Sequence, residues 1–360
     1  MKKIRVHYSQ LQQYTQNIAR KRLFVITLLL GVVMMFFVAI NAGSSRIPVL
    51  DVCRALLGTL DGNTETVVCN LRLPRVVAAI VAGIGLALAG CVMQNNLRNP
   101  LASPSTLGIS NAAAFGANVA IIVFGAGSVL SADVGRVVIN NPYIVTLTAL
   151  VFALGAMVII LALSRIRNFS PESIILAGVA ISSLFAASTM ILQYFAGDSA
   201  KVAAVIFWTF GDLGRASWKE ILIMSGVVGG SSVYFFFRRW DYNALDGGDD
   251  TAKSLGVNVE RVRLEGLLVS SVIAAICVSF LGIIGFIGLV APQITKRIIG
   301  NDKRYLIPAS ALMGALILLL SDTLSRVIIS PQTLPVGAVT SFLGAPLFLY
   351  LLMKGRDGRR

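Results

Sequence analysis

Histidine is almost missing from this sequence, and charge is scarce. His7 is the single histidine among 360 residues, so no Ser-His-Asp arrangement or histidine-built metal site can be assembled in the apolar part of the chain. The four cysteines, Cys53, Cys69, Cys91 and Cys277, show no CxxC spacing, which argues against a zinc ribbon or a redox dithiol. The dipeptide Gly-Lys never occurs, which excludes a GxxxxGK[ST] phosphate loop. Only 13% of residues are charged, against about a quarter in a soluble globular chain. A water-soluble enzyme is therefore the wrong class.

What fills the sequence instead is hydrocarbon: 56% of residues are hydrophobic and the mean hydropathy is +0.80. Residues 23–40 read LFVITLLLGVVMMFFVAI, a charge-free run that reaches about 27 Å as a helix, one membrane crossing. No small-residue cleavage site follows it, so it reads as a retained span and not as a secretory signal. Comparable runs lie at about 76–97, 105–126, 142–163, 173–195, 220–237, 305–321 and 335–353. The stretch 266–299 is too long for one ordinary span and contains Gly282, Gly285, Gly288 and Pro292. Splitting it near Gly285 gives ten spans, the eighth (about 286–299) being short. The expected architecture is an all-α polytopic membrane protein: a polar segment 1–22, one ten-helix domain over 23–354, and a tail 355–360.

Ten spans place both basic ends on one side. Of the 31 Lys and Arg, 22 then fall on the side of the termini, as the positive-inside rule requires of a cytoplasmic face. The net charge of +14 is thus an orientation signal and does not ask for nucleic acid. Arg72, Arg75 and Arg326 come out on the outer side. Cys53 and Cys69 share the first outer loop, as two free thiols or, if that side is oxidising, as a pair. The segment AKVAAVIFWTFGDLG, from Ala200, has too short an apolar run to cross. It reads as a short outer helix, with a re-entrant piece as the alternative.

Four local patterns bear on function. GIGLALAG at 83–90 has the glycine density of a dinucleotide loop but sits inside a span, where small residues serve close helix packing. NPLASPSTLG at 99–108 carries the proline and Asn-Pro chemistry of a turn, and predicts a loop dipping into the protein at the inner face. In the inner loop 238–263, Asp249 and Asp250 stand where a helix N-terminus favours anions and Gly256 follows as a stop, predicting about two turns of helix. That helix is either a solvated connector or a docking element for a cytoplasmic partner. Asp322 and Arg326 stand at i, i+4, the spacing of an ion pair on one helix face. Arg72, Arg75 and Arg326 are open to two readings: interfacial anchors, or guanidinium groups that pair with a partner's carboxylates.

Taken together, LRLPR at 71–75, Gln94 followed by NPLASPSTLG, GDDTAKSLG at 248–256, GFIGLVAPQITKR at 285–297 and LPVGAVTSFLGAPLF at 334–348 resemble the FecCD family. These are permease subunits of type II ABC importers that take up iron-siderophores, heme, cobalamin and, in some members, oxyanions. The resemblance covers about 71–352. It implies ten helices per subunit, with spans two to five and seven to ten as inverted repeats. Two permease subunits, a homodimer or a pair with a paralogue, would form the pore, with two ATPase subunits beneath and a periplasmic or lipid-anchored binding protein above. The chain itself would hold no cofactor, ATP and magnesium being bound by the ATPase. Localisation would be the bacterial inner membrane with both termini cytoplasmic.

The resemblance also assigns residues. Gly248, Asp249, Asp250, Thr251, Ala252, Leu255 and Gly256 correspond to the loop that couples to the ATPase, which favours docking over the connector reading. Arg72, Arg75 and Arg326 correspond to positions that pair with glutamates of the binding protein. A passage along spans five and ten would be lined by Ser182, Ser183, Ser188, Thr189, Thr340 and Ser341. Two positions depart from the family: Gln293 stands where His is common, so a role tied to that imidazole does not transfer, and Asp249 stands where Glu is common. The expected cargo is an iron(III)-siderophore or related metal chelate, with heme, cobalamin or molybdate as alternatives. An ATP-independent secondary transporter, the other class, would carry a midplane ionisable group, and none is evident in spans two to eight.

Overall fold

The computed structural model describes residues 2–43, 48–56, 63–129, 137–139, 141–166, 170–330 and 332–354. α1 (Lys2–Asn41) is followed by the short α2 (Val49–Leu56) and α3 (Asn63–Thr66), then by a π-helical turn (Val67–Arg72) that runs straight into α4 (Leu73–Asn96). α5 (Ile109–Asn118) continues through a second π-helical turn to Val123, and a small hairpin (β1 Gly127–Val129, β2 Val137–Ile139) leads to α6 (Pro142–Arg165) and α7 (Pro171–Tyr194). Next come α8 (Ser199–Thr209), α9 (Trp218–Phe237), α10 (Arg239–Asp246), α11 (Asp249–Ser254) and α12 (Val259–Leu281). α13 (Ile287–Ile299), α14 (Lys303–Val327) and α15 (Val336–Lys354) close the order.

Among the described residues, seven helical stretches are long and apolar enough to cross a membrane: most of α1, α4 with its π-helical lead-in, α6, α7, α9, α12 and α14. The other three expected spans correspond to shorter helices: α5 with its extension, α13 and α15. The predicted break in 266–299 falls between Leu281 and Ile287, where Phe286 takes a left-handed φ of 65°. α8, at 11 residues, is the short helix expected after span five. Helix α1 runs from Lys2 through the polar segment into the first span, because 2–22 contains no Gly or Pro and is rich in Gln, Lys, Arg and other residues a helix tolerates. The tail 355–360 and Arg167 lie outside the described residues.

α4 is the central helix and packs on α14, α12, α13 and α9, with α14 its most extensive partner. Small residues make that approach possible. A Cβ on Gly83 would stand 2.5 Å from the Gly314 carbonyl oxygen, and one on Gly90 would stand 1.9 Å from that of Gly288. Within lipid, where apolar burial drives little association, such backbone contact supplies the packing. GIGLALAG is therefore a helix-packing surface. α7 and α15 are packed the other way: Leu176, Met190 and Tyr194 on α7, and Phe342 and Leu349 on α15, are exposed.

Candidate functional site

At its C-terminal end, the inner end by the charge bias of the sequence, α4 is clasped to the short helices that follow α9. Asn95 Nδ2 donates to the Tyr242 carbonyl of α10 at 3.2 Å, and Asn96 Nδ2 to the Arg263 carbonyl of α12 at 3.3 Å. Arg98, just beyond the helix, has a left-handed φ of 46°, a conformation an L side chain adopts only when its surroundings enforce it. Its guanidinium donates to the Leu245 carbonyl and to Asp249 Oδ1. Arg263 reaches the same carboxylate at 3.1 and 3.2 Å, while its Nε donates to the Asn96 carbonyl at 3.1 Å. Asp249 thus joins α11 to α4 and α12 at once. Asn243 adds α14, accepting from the Lys303 backbone N–H at 2.8 Å. Burial pushes the Tyr242 hydroxyl pKa well above its usual range, as expected of a phenol enclosed by these helices.

The predicted loop helix is present as α11, with Gly256 at a φ of 81° beyond its end. Gly248 precedes it and Ala252 is buried, whereas Asp250, Thr251 and Leu255 face outward. Leu255 is 67% exposed, an apolar side chain projecting from a polar loop.

The NPLASPSTLG loop folds inward as expected, with Ala102, Ser103 and Leu107 buried. Asn99 Oδ1 accepts from Leu101 N at 2.9 Å, and Ser103 and Thr106 exchange side-chain and backbone hydrogen bonds across the turn. Beside it, Gln293 Nε2 donates to Gln94 Oε1 at 2.7 Å and Gln94 Nε2 donates to the Gly288 carbonyl at 3.1 Å. The amide at 293 is engaged within the chain as a neutral hydrogen-bonding group.

The N-terminal end of α4, outer by the same charge bias, carries a second cluster. Asp322, fully buried, accepts from Arg75 Nε at 2.7 Å and from Arg326 Nε at 3.0 Å. Arg75 also lies 3.5 Å from Asp212. Arg326 donates to the carbonyls of Ala42 and Ala39 at 2.7 and 3.0 Å, and Arg72 donates to those of Ile40 and Asn41 at 2.9 and 3.3 Å. These are the carbonyls a helix leaves unpaired at its C-terminus, so two guanidinium groups cap α1 while a third holds α4 to α14. The predicted i, i+4 pair is there. Arg72 and Arg326 are 7% and 8% exposed, because the open end of α1 and the buried carboxylate draw them inward, and Arg75 is partly exposed.

Of the expected pathway residues, Ser183 is exposed and Ser182, Ser188, Thr189 and Ser341 are half-buried. Ser182 Oγ accepts from Asn111 Nδ2 at 2.7 Å; Ser183 and Ser188 donate to carbonyls one turn back. Thr340 is buried, and its hydroxyl donates to the Gly337 carbonyl at 3.0 Å. Cys69 is a free thiol directed at the Ala55 carbonyl, while the side chain of Cys53 lies outside the described residues.

A bundle of apolar spans, wrapped on a central small-residue helix and braced on a pair of short helices, defines a polytopic membrane protein. Residues 29–354 match the FecCD transport family, and the chain belongs to that family. It is 53% identical over 343 residues to a protein of Methanocaldococcus jannaschii described as an ABC transporter permease, covering 95% of this chain and 97% of that one. It is 35% identical over 335 residues to the hemin transport system permease HmuU of Yersinia pestis, covering 92% and 97%. A solved structure described as an inward-facing metal-chelate-type ABC transporter superposes with a TM-score of 0.78 at 27% identity, covering 93% of this chain and 99% of that one. The chain is thus a permease of the metal-chelate and iron-related class of ABC importers.

Proposed function

We propose that this chain passes an iron(III)-siderophore or related metal chelate across the cytoplasmic membrane by alternating access, driven by separate ATPase subunits that bind the ATP and magnesium. The observation that carries the reading is the inner platform. α11 exposes Asp250, Thr251 and Leu255 to a partner, while Asp249 ties it to Arg98 and Arg263. A force applied to α11 therefore reaches α4 and α12 through charge-assisted hydrogen bonds and not through a slack loop. Gly248, Ala252 and Gly256 shape that helix.

Two ATPases would dock there, with both termini of the chain on the same cytoplasmic side. A second permease subunit would cover the exposed faces of α7 and α15, and Ser182, Ser183, Ser188, Thr189 and Ser341 would border the passage. The passage needs little affinity, since a chelate with its donors saturated can slide along weakly polar walls. A binding protein would meet the outer surface that Arg72, Arg75 and Arg326 support from within. Hemin is the second reading, favoured by the Yersinia pestis relative.

The test is reconstitution in liposomes with and without the partner ATPase, offering a ferric siderophore and hemin separately. Uptake of the siderophore only with ATPase and ATP is the expected result. Full-rate uptake without them overturns the importer reading, and uptake of hemin alone replaces the cargo. Asp249→Lys should also lower recovery of the ATPase with the permease, and unchanged co-purification removes α11 from the docking site.

A further inference from the structure

At the basic end of α1, a cavity of 430 Å³ lies between that helix and α13, and the transport reading makes no use of it. Its lining is of two kinds: the polar Asn17, Arg20 and Lys21, and the apolar Leu23, Phe24, Ile298 and Ile299. The division coincides with the edge of the first span. Leu23 opens the charge-free run, and α1 continues outward as an exposed apolar face through Ile26, Leu30 and Met34. The cavity therefore sits where hydrocarbon gives way to headgroups.

Its charge is unbalanced. Lys21 Nζ is 3.7 Å from Asp302 and 5.7 Å from the centre of the Tyr305 ring, which fixes the ammonium at the cavity wall. Asp302 is itself engaged by Arg304 at 2.7 to 3.0 Å, so one carboxylate serves two cations. Arg20 makes no ion pair among the described residues, and Arg22 beside it is exposed. A ligand that fits both kinds of lining has an anionic head and an apolar tail, and basic pockets between spans at a membrane surface recognise such headgroups. The volume is that of an ordinary small-molecule site.

We infer that this cavity holds one anionic lipid from the leaflet at the Arg20 end, its phosphate between Arg20 and Lys21 and the start of an acyl chain along Phe24 and Ile298. The lipid fills the wedge between α1 and α13 and joins the first span to the bundle at its inner end, as Arg72 and Arg326 do at the outer end.

The experiment is native mass spectrometry of the full-length permease in neutral detergent, titrated with phosphatidylglycerol or phosphatidylcholine. Phosphatidylglycerol should bind at least tenfold tighter. Each cation removed should weaken it roughly fivefold, the factor equivalent to the ~1 kcal/mol an interfacial Lys or Arg contributes, so Arg20→Gln with Lys21→Gln should cost about 25-fold. Arg20→Lys with Lys21→Arg should retain binding. Arg261→Gln, which removes a guanidinium 70% exposed elsewhere on the inner side, should change nothing. Equal binding of the two lipids by the unaltered protein overturns the proposal, as does a double Gln variant that binds phosphatidylglycerol undiminished. An equal loss in Arg261→Gln would mean a diffuse surface potential, and displacement by millimolar inorganic phosphate would mean a free-phosphate site; either result also overturns it.

Discussion

The two ends of α4 are held by the same chemistry in different solvent. At the N-terminal end Asp322 is 0% exposed and faces Arg75 and Arg326, whose side chains are 13% and 8% exposed. At the C-terminal end Asp249 is 35% exposed and faces Arg98 at 44% and Arg263 at 4%. In each, one arginine lies at an end of α4 and the other comes from a neighbouring span. A buried carboxylate between two guanidinium groups cannot open without stranding charge away from water. A half-exposed one can open on its Arg98 side, where solvent screens the separated partners, while Arg263 keeps it tied to α12. The Asp322 cluster has the build of a fixed anchor, and the Asp249 cluster, under the proposed function, that of a joint an ATPase could work.

The largest expected effect tests that difference directly. Asp322→Asn should destabilise the detergent-solubilised protein by about 3–5 kcal/mol, since it leaves Arg326 buried without a counter-charge and Arg75 with only the more distant Asp212. Asp249→Asn should cost less, about 1–3 kcal/mol, because Arg98 is solvated and only the buried Arg263 loses its carboxylate, yet should lower ATPase-dependent uptake. Thermal midpoints of the two variants measure the contrast. Equal losses would remove the distinction between anchor and joint.

Between the clusters the contrast depends on α4 behaving as one rigid rod. Gly90→Ala pushes a methyl group against the Gly288 carbonyl, 1.9 Å from the ideal Cβ position, and should cost about 1–3 kcal/mol as an overpacked contact. Gly155→Ala on α6 has nothing within 4 Å of that position and should be neutral or slightly stabilising, by up to ~1 kcal/mol, through helix propensity. A thermal scan in which both behave alike would deny α4 its close-packed core.

Much of this arrangement is legible in one dimension. The spans follow from run length, α11 from Asp249, Asp250 and Gly256, and the Asp322–Arg326 pair from its spacing, because each is a local rule acting within a few residues. The partner of Arg75 is not: Asp322 lies 247 residues away. Nothing in LRLPR distinguishes an arginine turned inward to a buried carboxylate, or to the carbonyls at the end of α1, from one turned outward to another protein. Arg98 illustrates the same limit. As sequence it is one positive-inside charge, and its link to Asp249 arises only when α4 and α11 pack. Thr340 lies on a span expected to border the passage, and the rotation of α15 buries it. Helix rotation and long-range charge pairing are tertiary facts that periodicity does not encode.

The smallest expected effect concerns a third carboxylate, Asp302, at the inner start of α14, whose Oδ1 accepts from the Arg304 backbone N–H at 3.1 Å. Burial alone would raise its pKa. Hydrogen bonds from the Arg304 side chain and backbone and from Asn243 outweigh that and bring it down to about 2. A carboxylate whose folded pKa lies below its unfolded value of about 4 contributes stability that is complete above that pH and is lost as the pH falls towards 2. Asp302→Asn keeps an oxygen for the cap but cannot ionise. It should therefore be less stable than the unaltered protein by ~1 kcal/mol at neutral pH, with the gap closing between about pH 4 and 2. Thermal midpoints of the two proteins at pH 7 and pH 3 read this out. A gap that stays constant across that window would trace the contribution to the cap geometry, and Asp302 would then owe nothing to the charge pairing that separates Asp322 from Asp249.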